Sequence, residues 1–291
     1  MRILVAYLDT PGGADALMLG QRLARSFGGV VDVTMVMRPE SPTSVALTPG
    51  DYNEVLAEQF RAWLEQAQAA VDPDLLGESR LRVGESVVEE LIADATENDA
   101  EMIVVGGTGG GLLPGHTLGT VVNELVHTAP LPVALTPRGL RDSEVARVDE
   151  ITCAIGRRPG ATRLLETAVR YTEAGAVPLR LLSLVALDPE GHRGERAAEL
   201  RDAARAHAQN TLEAARAALP EGYAVTAEVG EGGTVEEATA ELSWHDGQLL
   251  MVGSSRLAQP RRLFLGSTAA KMLRVLEVPV VVVPSPGADD E

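Results

Sequence analysis

Cysteine is almost absent from this sequence. Its single Cys153 among 291 residues rules out a disulfide framework within the chain and any CxxC zinc site. Cys153 lies in the apolar run ITCAI, where it reads as a small buried strand residue rather than a reactive thiol. Aromatic residues make up 3% of the chain and hydrophobic residues 45%. The core must then be built of Val, Leu, Ile and Ala, as in parallel strands covered by helices on both faces. Positive charge is also in deficit, with 25 Lys and Arg against 42 Asp and Glu and a net charge of −17. Surfaces that follow nucleic acid or anionic lipid need clustered basic residues, so neither partner is expected. No apolar run approaches the roughly 18 residues of a membrane span. The start, MRILVAYLDT, has one basic residue and no small-residue cleavage site, so it does not read as a signal peptide. A cytoplasmic location is the expectation.

Familiar catalytic and metal signatures are missing too. His116, His127, His192, His207 and His245 form neither H-x-x-x-H nor H-E-x-x-H, and there is no G-x-x-x-x-G-K-[ST] and no GxSxG. Gly107, Gly109 and Leu112 fail the dinucleotide pattern at its third glycine. No metal site and no catalytic residue is assigned.

What the chain does contain is a duplication. Gly106 and Gly119-Thr120 recur as Gly253 and Gly266-Ser267, 147 residues later. The same offset maps Pro132-Val133 onto Pro279-Val280 and Glu89-Glu90 onto Glu236-Glu237. Two domains follow, residues 1–138 and 150–291, joined by a polar linker at 139–149, each large enough for its own core. Within each half the pattern alternates strand and helix, giving five strands and four helices in an α/β fold. Leu8 to Gly13 read as the first βα turn, Leu81 to Val83 as a short third strand, and Thr234 to His245 as a helix. Ser86 is placed to cap the helix that begins near Val87. Glu89 and Glu90 point in different directions on that helix and read as a solvated face rather than a catalytic pair. Residues 133–136 and 280–283 are apolar edges that need covering.

The stretch Ile103 to Thr120, IVVGGTGGGLLPGHTLGT, is the one that organises the chain: apolar strand, glycine cluster, then the Gly-Thr pair that opens a helix. Glycines let main-chain N–H groups approach a phosphate, and a helix start adds unpaired donors and the positive end of a dipole. Such loops also form tight turns with no ligand, and the pattern by itself leaves both readings open.

The spacing Gly106, two residues, Gly109, nine residues, Gly119-Thr120 resembles the universal stress protein family in its ATP-binding branch, and the flanking VVGG and LPVALTP are similar to it as well. The resemblance implies two tandem doubly wound, five-stranded, Rossmann-like domains that pack as a pseudo-twofold pair through their last strands, with a further homodimer open to them. It also implies ATP or a related adenine nucleotide, with or without Mg, in the N-terminal half. Its phosphates would lie on Gly106, Gly107, Gly109, Gly110, Gly119 and Thr120, and its nucleoside end near Asp9 and Thr10. That first loop carries no Lys or Arg, and His116 is its only candidate cation.

In the second half, Arg256 stands where the second glycine would be, Arg261 and Arg262 follow, and Gly156-Arg157-Arg158 replaces the acid of the first turn. This half is expected to be a degenerate site, with Gly253, Arg256, Gly266 and Ser267 as candidates for binding a smaller anion. The function implied is a stress-response sensor or regulator, with at most slow ATP hydrolysis, because no motif residue is placed to activate water. A protein-interaction scaffold without nucleotide, and an adenylyl-transfer enzyme, are the alternatives.

Overall fold

The structure is a computed structural model that describes residues 1–39, 49–107, 116, 119–156, 161–186, 195–220, 222–254 and 265–284. Strand and helix alternate through the N-terminal half as β1 (Arg2–Ala6), α1 (Pro11–Phe27), β2 (Val30–Met37), α2 (Pro49–Ala70), β3 (Leu76–Val83), α3 (Val87–Glu97), β4 (Met102–Gly106), α4 (Thr120–Thr128) and β5 (Val133–Thr136). The C-terminal half repeats the order as β6 (Glu150–Ala154), α5 (Ala161–Gly175), β7 (Leu179–Ala186), α6 (Glu195–Ala217), β8 (Val225–Gly232), α7 (Val235–Ala240), β9 (Gln248–Gly253), α8 (Ser267–Met272) and β10 (Val280–Val283).

All ten strands form one sheet, in the order β3-β2-β1-β4-β5-β10-β9-β6-β7-β8. Pairing is parallel within each half and antiparallel only at the seam, where Val280, Val281 and Val282 face Leu135, Ala134 and Val133. The two apolar edges thus cover each other, which removes the unpaired N–H and C=O rows that exposed edges present. Alternate residues of each strand enter two cores. Ile3, Val5, Met102 and Val104 face α1, α2, α5 and α6, whereas Leu4, Ile103 and Val105 face α3, α4, α7 and α8.

Across the seam, the Phe27 ring of α1 stacks on Tyr171 of α5 with centroids 5.1 Å apart. Residues after β5 are tied to α1 as well: Gly139 N–H and Arg141 N–H donate to the Asp15 carboxylate at 3.1 and 2.8 Å. The fully buried Arg22 of α1 donates to the Asp246 main-chain carbonyl at 2.6 Å and also to Ser143. One buried guanidinium therefore holds a helix of one half, the connection, and a loop of the other.

Several local expectations change. The first turn is shorter than the sequence suggests, because Thr10 caps α1 by accepting from Gly13 N–H at 3.1 Å and Pro11 occupies the first helical position. Gly12 and Gly13 therefore belong to the helix. Strand β3 runs from Leu76 rather than Leu81, its charged alternation explained by Arg80, which pairs with Asp32 and Asp94. Helix α7 stops at Ala240, because Trp244 folds back to donate its indole N–H to Thr239 O at 2.8 Å while Arg180 lies over its ring. Ser86 caps α3 as expected, accepting from Glu89 N–H at 3.2 Å. Glu89 is exposed, but Glu90 is not merely solvated, since it accepts from Arg82 at 3.0 Å.

Candidate functional site

Carboxyl ends of parallel strands are where an open α/β sheet accepts ligands, because adjacent crossover helices leave a crevice there. In each half that place is the end of the central strands, β1 and β4 in the first and β6 and β9 in the second, and the two are packed differently.

In the N-terminal half the start of α1 leans on the end of β4. A Cβ added at Gly106 would fall 1.8 Å from Gly12 O, and one added at Gly12 would fall 2.2 Å from Gly107 O. Gly106 and Gly12 are thus required as glycines for main chain to pack on main chain, whatever else this loop binds. Thr10 is committed to capping, and Asp9 is exposed beside Tyr7, whose pKa is raised by burial and then by the charge of and hydrogen bond to Asp9. Gly119 is the N-cap of α4 in extended conformation and has no side chain to cap it, so among the described residues the first N–H groups of the helix that Thr120 begins have no side-chain cap. Gly109 and Gly110 lie outside the described residues.

His116, the candidate cation of the first loop, is not charged. Its Nε2 lies 2.8 Å from Val278 O, and a carbonyl only accepts, so the ring proton sits on Nε2. Burial pulls the pKa down to about 4, against the opposing pull of the Val278 and Thr136 carbonyls, and the ring is neutral at pH 7.

In the C-terminal half the crevice is open. A cavity of about 360 Å³ lies over the ends of β6, β7 and β9, within the range of small-molecule sites. Its floor and walls include Ile155, Leu164, Leu184 and Met272, and its polar groups come from Ser183, His207, Thr211, Ser254 and Thr268. Gly156, Gly253 and Gly266 bring bare main chain to it. Among the described residues, a Cβ at Gly156 would meet nothing within 4 Å, and one at Gly253 would meet Leu164 at 3.6 and 3.9 Å. Gly253 and Gly266, two of the sequence-derived anion candidates, are therefore brought together on one wall. Ser267 follows Gly266 as the exposed first residue of α8. Arg157, Arg158, Arg256, Arg261 and Arg262 lie outside the described residues. His207 and Thr211 of α6 were not legible in the sequence, since nothing in an amphipathic helix marks which polar residue tops a cavity.

Other chemistry is sparse. Cys153 is fully buried, and burial pushes its thiol far up, so it stays protonated and unreactive. Among the described residues no group of three or more His, Cys, Asp or Glu could hold a metal ion, and no helix is long and apolar enough to cross a membrane.

The decisive comparison is at the level of the whole chain: the sequence profile of the universal stress protein family matches residues 1–137 and again 148–284. The chain belongs to the universal stress protein family. It is similar to universal stress proteins of Mycobacterium bovis and Mycobacterium tuberculosis, each 28% identical over 299 residues that cover 98% of this chain and 100% of the relative. Among solved structures it resembles a universal stress protein from Archaeoglobus fulgidus, with a TM-score of 0.65 at 18% identity, covering 97% of this chain and 98% of that one. A functionally unknown protein from Pseudomonas aeruginosa matches with a TM-score of 0.57 at 16% identity, over 98% of this chain and 92% of its own. These likenesses extend over both halves, so this is a tandem universal stress protein with the alternating α/β architecture of its family.

Proposed function

We propose that this tandem universal stress protein binds an adenine nucleotide, ATP or a relative of it with or without Mg, and acts in the cytoplasm as a stress-response sensor or regulator rather than as a fast enzyme. The observation that carries the reading is the open cavity over β6, β7 and β9. Its size suits a nucleoside, its walls are mostly apolar, and glycine main chain borders it at Gly156, Gly253 and Gly266. The loop from Gly106 to Thr120 is the companion seat in the N-terminal half, supported by its glycine spacing and by the uncapped start of α4. Lacking a charged histidine, that seat relies on main-chain N–H groups and the helix dipole for phosphate.

Calorimetry with ATP–Mg on the full chain tests this. Gly253→Leu should eliminate binding in the C-terminal cavity and Gly109→Leu binding at the N-terminal loop; a double variant that binds as tightly as the parent sinks the assignment. The close approach of Gly12 to Gly106 favours a second reading, in which the N-terminal half is a protein-interaction scaffold. Nucleotide found by mass spectrometry in gently purified Gly253→Leu protein would argue against that reading.

A further inference from the structure

Two positions that are large and apolar in the first half are small and polar in the second, and both line the C-terminal cavity. Met35 of β2 pairs in register with Leu81, and Ser183 of β7 with Val229, each 148 residues after its counterpart. The same offset maps Trp63-Leu64-Glu65 of α2 onto Thr211-Leu212-Glu213 of α6, and Leu64 and Leu212 fill matching core positions. In the first half Met35 is fully buried, and Trp63 packs on the same core with the Phe60 ring centroid 5.3 Å from its own. In the second half Ser183 and Thr211 stand in those places and border open space. Where one domain has a thioether and an indole, the other has two hydroxyls and a cavity.

Both hydroxyls belong to buried residues, Ser183 at 8% exposure and Thr211 at 5%, but they differ in what they offer. Thr211 Oγ1 donates its single proton to His207 O, one turn earlier, at 2.9 Å, so toward the cavity it can only accept. Ser183 Oγ has no hydrogen-bond partner among the described residues, so it can donate or accept. A buried hydroxyl without a partner carries a desolvation cost, which an occupant with a matching polar atom removes. Among the described residues no Asp, Glu, Lys or Arg lines the cavity, so the chemistry there suits an uncharged ring.

We propose that the C-terminal cavity selects a neutral heteroaromatic ring bearing an exocyclic amine, with Thr211 accepting from the amine and Ser183 bonding the adjacent ring nitrogen. The proposal rests on the nucleotide reading for the seat and adds which part of the ligand is recognised, and by which side chains. Adenine has such an edge. Hypoxanthine keeps the shape of adenine but carries a carbonyl in place of the amine, which sets one acceptor against another at Thr211. Ser183 can adapt to either ring nitrogen, so the discrimination falls to Thr211. A site built around a hydrogen bond rejects the analogue that cannot make it much more strongly than an apolar pocket rejects a change of size.

Calorimetry on the full chain with adenosine and inosine tests this, because neither probe carries a phosphate for the glycine loops to hold. Adenosine should bind about tenfold more tightly than inosine or better, the scale of one buried hydrogen bond. Thr211→Val keeps the side-chain volume and removes the acceptor, so the ratio of the two affinities should fall towards one, a change that a purely structural role of Thr211 would not produce. Ser183→Met places the first half's residue in the second and should abolish binding of both probes, in a protein that thermal unfolding shows to be folded. Equal affinities in the parent, a ratio unmoved by Thr211→Val, or undiminished adenosine binding in Ser183→Met overturns the proposal. ATP–Mg titrated into the same proteins separates the two readings. Adenosine selectivity in a chain that takes no ATP–Mg supports the amine pocket and sinks the nucleotide reading, whereas ATP–Mg binding without adenosine selectivity sinks the amine pocket alone. A chain that binds none of the three sinks both.

Discussion

Asp32 and Arg180 occupy equivalent positions on the second strand of their halves and carry opposite charges. Asp32 pairs in register with Leu4 and Arg180 with Thr152, each 148 residues after its counterpart. The inversion extends to their partners. Asp32 accepts from Arg2 and Arg80, both at 2.8 Å, while Arg180 lies 3.4 Å from Glu150 and 3.3 Å from Glu228, the residues equivalent to Arg2 and Arg80. A strand of one half mispaired into the other during folding would bring like charges together. Duplicated domains are prone to that error, and the inversion opposes it.

The two triads should differ in strength. Asp32 is fully buried, so Asp32→Ala leaves two guanidinium groups without their shared carboxylate and should cost about 3 kcal/mol. The Glu228 side chain is 45% exposed, and Glu228→Ala should cost no more than about 1 kcal/mol. Burial raises the Asp32 pKa, but hydrogen bonds from Arg80, the Glu78 N–H and Arg2 outweigh it and leave the pKa below the usual aspartate value. Its contribution is complete above the unfolded-state pKa of about 3.9 and is lost as pH falls through the depressed folded value. Urea unfolding of Asp32→Asn should therefore show its largest deficit near neutrality and a shrinking one in acid; a deficit that ignores pH would contradict the charge assignment.

Gly106 and Gly253 are the same motif position in the two halves but should respond to alanine by different amounts. At Gly106 the added carbon strikes Gly12 O, so main chain must move, and overpacking of this kind costs about 1–3 kcal/mol. At Gly253 it meets, among the described residues, Leu164 at ordinary distance, and the change should stay within about 0.5 kcal/mol. Thermal unfolding of the two variants distinguishes these outcomes, and equal losses would mean that the crevices are alike.

His116 should make the chain acid-sensitive in a defined window. Its folded pKa of about 4 lies below an unfolded value near 6.5, so between the two the unfolded chain binds a proton that the folded chain does not. Stability should fall as pH drops through that window, by up to about 1.4 kcal/mol per pH unit, and this contribution should be flat above it. His116→Gln should remove that component of the slope. An unchanged slope would place the ring in water.

Much of the architecture was legible because apolar runs, glycine clusters and the 147-residue offset report it locally. The strand-helix alternation of each half follows from them, as does the burial of Cys153. The length of β3 was hidden because Glu78, Arg80 and Arg82 look like loop residues until Asp32 and Asp94 are placed opposite them. The early end of α7 depended on Trp244 turning back to Thr239, a contact that helical periodicity does not encode. At the candidate site the motif identified Gly106, Gly253 and Gly266, but not that Gly12 would press on the first of these and leave the second open. The close approach at Gly106 comes from where α1 begins, which Thr10 and Pro11 fix. Nor did sequence reveal that the one imidazole in the first loop serves the opposite half, since its acceptors lie more than 150 residues away.

The antiparallel seam between β5 and β10 has a consequence for assembly. A single-domain relative that dimerises by its final strand can exchange subunits, and its composition can vary with concentration. Here both final strands are already engaged within one polypeptide. The ratio of the two crevices is fixed at one to one, dilution does not separate them, and a half with an altered crevice always stays beside one without it. Any larger assembly must instead grow from β3, from β8, or from the helical layers.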